Sequence, residues 1–223
     1  MKMDRITALA LAPLVAIALP MMAAAHDIPG DVAARIDASS SSAAGEPSLA
    51  EVRAATVRFR HVEAALKEGY IRDPGNMCDD ARMMGKPASL GAMGIHYFRP
   101  DLLGISAPPN PRVDGVGTHT DFRQPAVLIY EPATDGSLEL VAVENLVFAK
   151  AWAEAGNDAP PSFHGVPWDN MVDNPATAVD EAHNFEPHYD RHVWLYRENP
   201  NGVFAQYNPT VTCEHHDAAH QTH

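Results

Sequence analysis

The chain is short of basic charge, has only two cysteines, and after its first 25 residues has no long apolar run. Its 16 Lys and Arg stand against 29 Asp and Glu, a formal net charge of -13. Such a surface repels nucleic-acid phosphates and anionic lipid and favours cations as partners, so no nucleic-acid partner is expected. With no second stretch of about 20 apolar residues, no integral membrane span is expected either. The G-x-S-x-G elbow, the H-E-x-x-H helix and the G-x-x-x-x-G-K-[ST] phosphate loop are all missing, which removes the hydrolase, metalloprotease and nucleotide-binding classes they mark. Gly115-Val116-Gly117 lacks the strand-then-helix context of a dinucleotide loop.

What is present begins at the amino end. Lys2 and Arg5 precede an apolar run from Ile6 to Met22, broken only by Thr7, Pro13 and Pro20, and followed by Ala23-Ala24-Ala25. A positive start, an apolar centre and small residues at the cut have the form of a secretory signal peptide over residues 1–25. The exported chain would then start near His26, in the periplasm or outside the cell. An amine and an imidazole on one terminal residue form a ready copper chelate, but the linker-like residues after His26 argue against a brace-type oxidase site there. Residues 26–47 are rich in Ala, Ser, Gly and Asp and read as a flexible linker. A single α+β domain follows over 48–213, and a histidine-rich tail over 214–223.

Cys78 and Cys213 both lie in the exported part, and no CxxC spacing suggests a redox or thiolate metal site. In an oxidising compartment they pair by default. The bridge would close most of the domain into one loop, worth about 4–5 kcal/mol in a chain-entropy treatment whose mechanism is disputed.

Ser48-Leu49-Ala50-Glu51 has the form of a capping box. Leu49, Val52, Ala55, Phe59, Val62 and Leu66 then recur at helical spacing until Gly69, which predicts one long amphipathic helix of about 20 residues. Past Asp73-Pro74-Gly75-Asn76 the period becomes strand-like over 92–98, 126–131, 138–148 and 192–197. Thr134-Asp135-Gly136-Ser137 is a hairpin signal joining the second and third strands. The stretches 100–125 and 153–190 read as long loops. The expected fold is the long helix packed on an antiparallel sheet of about four strands, cystatin-like or ferredoxin-like.

Each predicted strand carries one ionisable residue among apolar neighbours. His96 shares a face with Gly94 and Phe98, Glu131 with Val127 and Ile129, and His192 with Trp194 and Tyr196. Glu144 alternates with Leu138, Leu140, Ala142, Leu146 and Phe148. A carboxylate on an apolar face must be paired, protonated or bound to a cation. Two histidines and two carboxylates converging on one face suit a divalent transition metal such as zinc, copper, iron or manganese. They would also serve acid–base chemistry. The plainer alternative pairs Glu144 with Arg99, Arg191 or Arg197 and leaves Glu131 at a strand end in solvent.

Two further histidine groups stand out. His183, His188 and His192 fall in one ten-residue segment where Pro187 argues for a loop, solvated and charge-mixed, that would drape ligands over the sheet at most. In the tail, His215, His216, His220 and His223 form a secondary, lower-affinity metal site of scavenging type. A metal-free alternative uses Tyr97, Tyr130, Trp194 and Tyr196 to line a pocket for a small molecule or peptide. A third possibility is a structural envelope module.

The segments Gly94-Ile95-His96-Tyr97-Phe98, Leu128-Ile129-Tyr130-Glu131-Pro132, Val141-Ala142-Val143-Glu144 and His192-Val193-Trp194-Leu195-Tyr196 are similar to a family of exported bacterial proteins of unknown function. So are Asn199-Pro200-Asn201-Gly202-Val203-Phe204 and the segment Tyr207 to Cys213. The resemblance spans about residues 50 to 213. It implies a secreted single domain with paired cysteines and carries no activity. Linker and tail lie outside it.

Overall fold

The computed structural model describes residues 45–105 and 112–216. The predicted signal peptide, His26, nearly all of the linker, and His220 and His223 lie outside the described residues. Glu46 and Pro47 already belong to the ordered chain. The backbone N–H of His164 donates to Glu46 Oε2 at 3.0 Å, and the His164 ring meets the Pro47 carbonyl at 3.0 Å.

The capping box forms: the Glu51 N–H donates to Ser48 Oγ, and the Ser48 N–H donates to the Glu51 carboxylate. The long helix does not. It divides into α1 (Leu49–Thr56), a 3-10 turn (Val57–Arg60) and α2 (Val62–Lys67), with His61 extended between them. Thr56 Oγ1 donates back to the Val52 carbonyl at 2.8 Å, a bond that bends helices. The Phe59 carbonyl, freed from the helical ladder, accepts from Tyr130 Oη at 2.7 Å. The break turns Phe59 inward and leaves Val57 and Leu66 about half exposed. Tyr130→Phe would leave that buried carbonyl without a partner. We expect it to lower stability by about 1–2 kcal/mol, read from urea unfolding.

The sheet is larger than the four strands expected. Its strands are β1 (Ile71–Arg72), β2 (Asp79–Asp80), β3 (Ala92–Phe98), β4 (Val127–Pro132), β5 (Leu138–Phe148), β8 (Asp169–Met171) and β9 (His188–Val193). The order is β1-β3-β4-β5-β9-β8, with β2 also on β3, and every pairing is antiparallel. A separate hairpin joins β6 (Ser162–Phe163) to β7 (Val166–Pro167). Short helices α3 (Pro100–Leu103) and α4 (Ala149–Glu154) follow β3 and β5. No described helix is long and apolar enough to cross a membrane. Cys78 and Cys213 are disulfide-bonded across 135 residues.

One face of the sheet carries Tyr97, Leu128, Tyr130, Leu140 and Val143 against Val52 and Phe59 of the helical segment. The other carries Phe98, Val127, Ile129, Ala142 and Leu146. A bulge separates them differently from simple alternation. Tyr130 pairs with Leu140, whereas Ile129 pairs with Ala142, so Val141 is the extra residue. Leu138 and Leu140 therefore pack on the helical side, opposite to Ala142 and Glu144.

The fourth long strand also differs. It runs over His188–Val193 and not 192–197, beginning directly after Pro187. Proline is compatible with a strand start; of the segment expected to be a solvated loop, residues 183–187 form a turn and 188–192 a buried strand of the sheet.

Candidate metal centre

Strand register brings the site together. Phe98 lies opposite Val127, Val127 opposite Glu144, and Glu144 opposite His192. His96 sits in the next row, opposite Ile129. Its ring and the Glu144 side chain meet above the smaller aliphatic side chains of β4.

His96 Nε2 is 3.4 Å from Glu144 Oε2, and His192 Nε2 is 3.5 Å from the same oxygen. One donor atom from each of His96, Glu144 and His192 lies within 4.8 Å of the others, and all three residues are buried. This group can hold a metal ion. Tetrahedral coordination with bonds of about 2.0–2.1 Å places ligand atoms about 3.3–3.5 Å apart, close to the two measured contacts.

The second nitrogen of His96 is held from behind. Its Nδ1 is 2.9 Å from Asp79 Oδ2, which directs Nε2 toward Glu144. A carboxylate behind a histidine is the common means of fixing a ligand's tautomer and ring plane. Asp79 is placed by its neighbour in sequence, the bridged Cys78, and by β2 pairing opposite Gly94. Gly94 has φ of +120°, and a Cβ there would come 2.6 Å from the Tyr130 carbonyl. Only glycine accommodates that backbone. Asp79 Oδ1 is also 3.5 Å from His183 Nδ1. His183 and Asn184 both occupy the left-handed region, at φ 52° and 65°, a strained pair in the turn that leads into β9.

His188 and Asp190 project from the same side of β9 as His192. With the triad and Asp79 they line a cavity of about 40 Å³, walled by Met77, Met93, Phe98, Leu146 and Phe185. That volume exceeds what one water requires, so space remains beside the three donors. His188 Nδ1 donates to the Glu186 carbonyl at 2.9 Å, which leaves Nε2 as the basic nitrogen. Neither ring nitrogen of His192 has a hydrogen-bond partner, although the residue is almost wholly buried.

Electrostatics divide these groups. Burial pushes His192 and His188 down to about 4, so both are neutral imidazoles near pH 7. Burial also opposes charge on His96, but Asp79 and Glu144 outweigh it and hold the imidazolium well above its ordinary range. Burial raises Asp79 and Glu144, and the neighbouring histidines outweigh it, so both carboxyls lie below their ordinary values. Asp190 goes the other way: burial, Glu144 and Asp169 keep it protonated well above the carboxylate range.

The structure unites His96, Glu144 and His192 but does not bring Glu131 to them. Glu131 lies two residues further along β4 than Ile129, where it accepts from the Thr212 N–H at 2.8 Å and pairs with Arg197. The arginines considered for Glu144 are engaged elsewhere. Arg99 pairs with Asp101, Arg197 with Glu131 and Glu139, and Arg191 with Asp169 and the Phe204 carbonyl. The four aromatic residues do not form one pocket. Tyr97 and Tyr130 stack edge-on at 5.0 Å on the helical face, and Tyr196 bonds Thr56 on that side, while Trp194 packs on the other. His215 is exposed and His216 partly so at the carboxyl end of the described chain. Asp79 and Asp190 were absent from the sequence expectation. Their only local signals were the cysteine beside Asp79 and the every-second-residue spacing of His188, Asp190 and His192.

No protein-family model matches this chain, and no curated protein or solved structure matches it either.

Proposed function

We propose that this chain is an exported protein that binds one divalent transition-metal ion through His96, Glu144 and His192, with Asp79 orienting His96. The observation that carries the reading is a buried imidazole, His192, with neither nitrogen hydrogen-bonded, beside a carboxylate oxygen shared with a second imidazole. Leaving such groups buried without a cation is costly. Two histidines and one carboxylate suit zinc or non-haem iron, with copper and manganese also compatible with the donors. Three protein ligands beside a small cavity leave a coordination position for water or substrate, the arrangement needed for metal-assisted hydrolysis or oxidation. The tail histidines add a weaker, independent site. Export and an oxidising compartment are supported by the signal-like leader and the disulfide.

The test is elemental mass spectrometry on untagged protein taken from its export compartment, in a chain carrying His215→Ala, His216→Ala, His220→Ala and His223→Ala. Near one equivalent of a single metal is expected. A folded, disulfide-bonded protein with no metal, and none taken up on titration, would overturn the reading and make the triad a structural pairing. Asp79→Ala should weaken affinity about 10- to 100-fold while stoichiometry is retained at saturating metal. Competition against a chelator of known affinity measures it.

A further inference from the structure

We propose that the triad's cavity takes a second divalent transition-metal ion beside the first, held by His183, His188 and Asp190; this rests on the metal-binding reading above. Side chains alternate along β9, so His188, Asp190 and His192 form one row on the same side of the strand. His183, in the turn before β9, lines the same cavity. Two imidazoles and one carboxyl therefore stand beside the triad and repeat its donor set. The far side of each ring is already held. His188 Nδ1 donates to the Glu186 carbonyl at 2.9 Å, and His183 Nδ1 faces Asp79 Oδ1 at 3.5 Å. A backbone carbonyl or carboxylate behind the ring is the usual accompaniment of a metal-ligating histidine. Asp79 thus stands behind one histidine of each set, with Oδ2 on His96 and Oδ1 toward His183.

Two observations point to a further cation. Asp190 Oδ1 and His183 Nε2 are buried without a hydrogen-bond partner, Asp190 being only 4% exposed, and neither belongs to the triad. The cavity is lined by four carboxyls, Asp73, Asp79, Glu144 and Asp190, and by no Lys or Arg. With the imidazoles neutral as ligands, one divalent ion offsets two carboxylates and a second offsets the other two. The proton on Asp190 leaves to solvent as that second ion binds. A space of about 40 Å³ matches two ions at the about 3.5–4 Å spacing of two-metal sites. Among the described residues only the triad has three donors within 4.8 Å of one another, so the second set must be drawn inward. His183 starts from a left-handed backbone conformation in its turn, at φ 52°. That rearrangement lowers the apparent affinity, so the second ion binds more weakly and after the first.

The experiment is isothermal titration of Zn²⁺ into metal-free protein carrying the four tail-histidine substitutions. A tight first equivalent is expected, then a second bound at least about tenfold more weakly. His183→Ala, His188→Ala and Asp190→Asn should each remove the second equivalent and keep the first, with thermal melts confirming that the variant folds. His183 lies outside the strands, so its truncation keeps the sheet intact even where the buried changes at His188 and Asp190 do not. A tight equivalent with no second would overturn the two-ion site alone. So would a second equivalent that persists in folded His183→Ala, because that ion would then sit elsewhere on the acidic chain. Absence of the tight equivalent would sink the triad reading and this one with it.

Discussion

His96→Ala should abolish stoichiometric metal binding, and His192→Ala should do the same, each by more than the about 100-fold ascribed to an orienting residue. The two variants differ in their effect on the metal-free protein. Removing His96 leaves Asp79 buried with one fewer cationic neighbour and Glu144 with one fewer imidazole, so stability falls as well. Removing His192 takes away a neutral ring whose nitrogens bond nothing, so the cost is mainly the cavity left behind. Glu131→Ala is the discriminating control. It breaks the contacts to Arg197 and Thr212 and lowers stability, yet leaves metal binding intact. Isothermal titration beside thermal melts separates these effects. Retained one-to-one binding in folded His192→Ala would show that the ion sits elsewhere.

Removing the disulfide should have the largest effect on stability. The bridge closes 135 residues, and the double variant Cys78→Ser, Cys213→Ser should lose about 4–5 kcal/mol. At about 2–4 °C per kcal/mol for a domain of this size, melting should fall by roughly 8–20 °C. A second effect follows from position. Cys78 adjoins Asp79, whose strand β2 is only two residues long. Loosening it should weaken the hold on His96 and lower metal affinity about 10- to 100-fold. Melting curves and chelator competition on the double variant check both. A large drop in melting temperature with unchanged affinity would show that β2 keeps Asp79 in place without the bridge.

Local signals carried a good part of the fold. The capping box at Ser48 and Glu51 depends on residues three apart. The bounds of β3 and β5 follow from apolar runs with β-branched and aromatic residues. His96, Glu144 and His192 stood out because an ionisable group among apolar neighbours needs a partner wherever the strand lies. Three of the segments read as similar to an exported family, over 94–98, 141–144 and 192–196, each contain one of these three residues.

Other features depended on contacts between distant parts of the chain. Helical periodicity over 49–66 is genuine, but Tyr130 takes the Phe59 carbonyl out of the ladder. The Val141 bulge turns Leu138 and Leu140 to the opposite face from Glu144, and alternation alone has no means of registering one extra residue. Glu131 was as good a candidate as Glu144 by pattern, and only the course of the last segment past Thr212 and Arg197 separates them. Composition made 183–192 look solvated, because its charges are satisfied or held only once β5 and β8 flank β9. What the sequence by itself determined is the set of local periods, the caps, the cysteine pair and the few ionisable residues in apolar strands. The tertiary structure alone decided which of those residues meet, and which carboxylates stand behind or beside them, because register and burial are set by packing summed over pairs far apart in the chain.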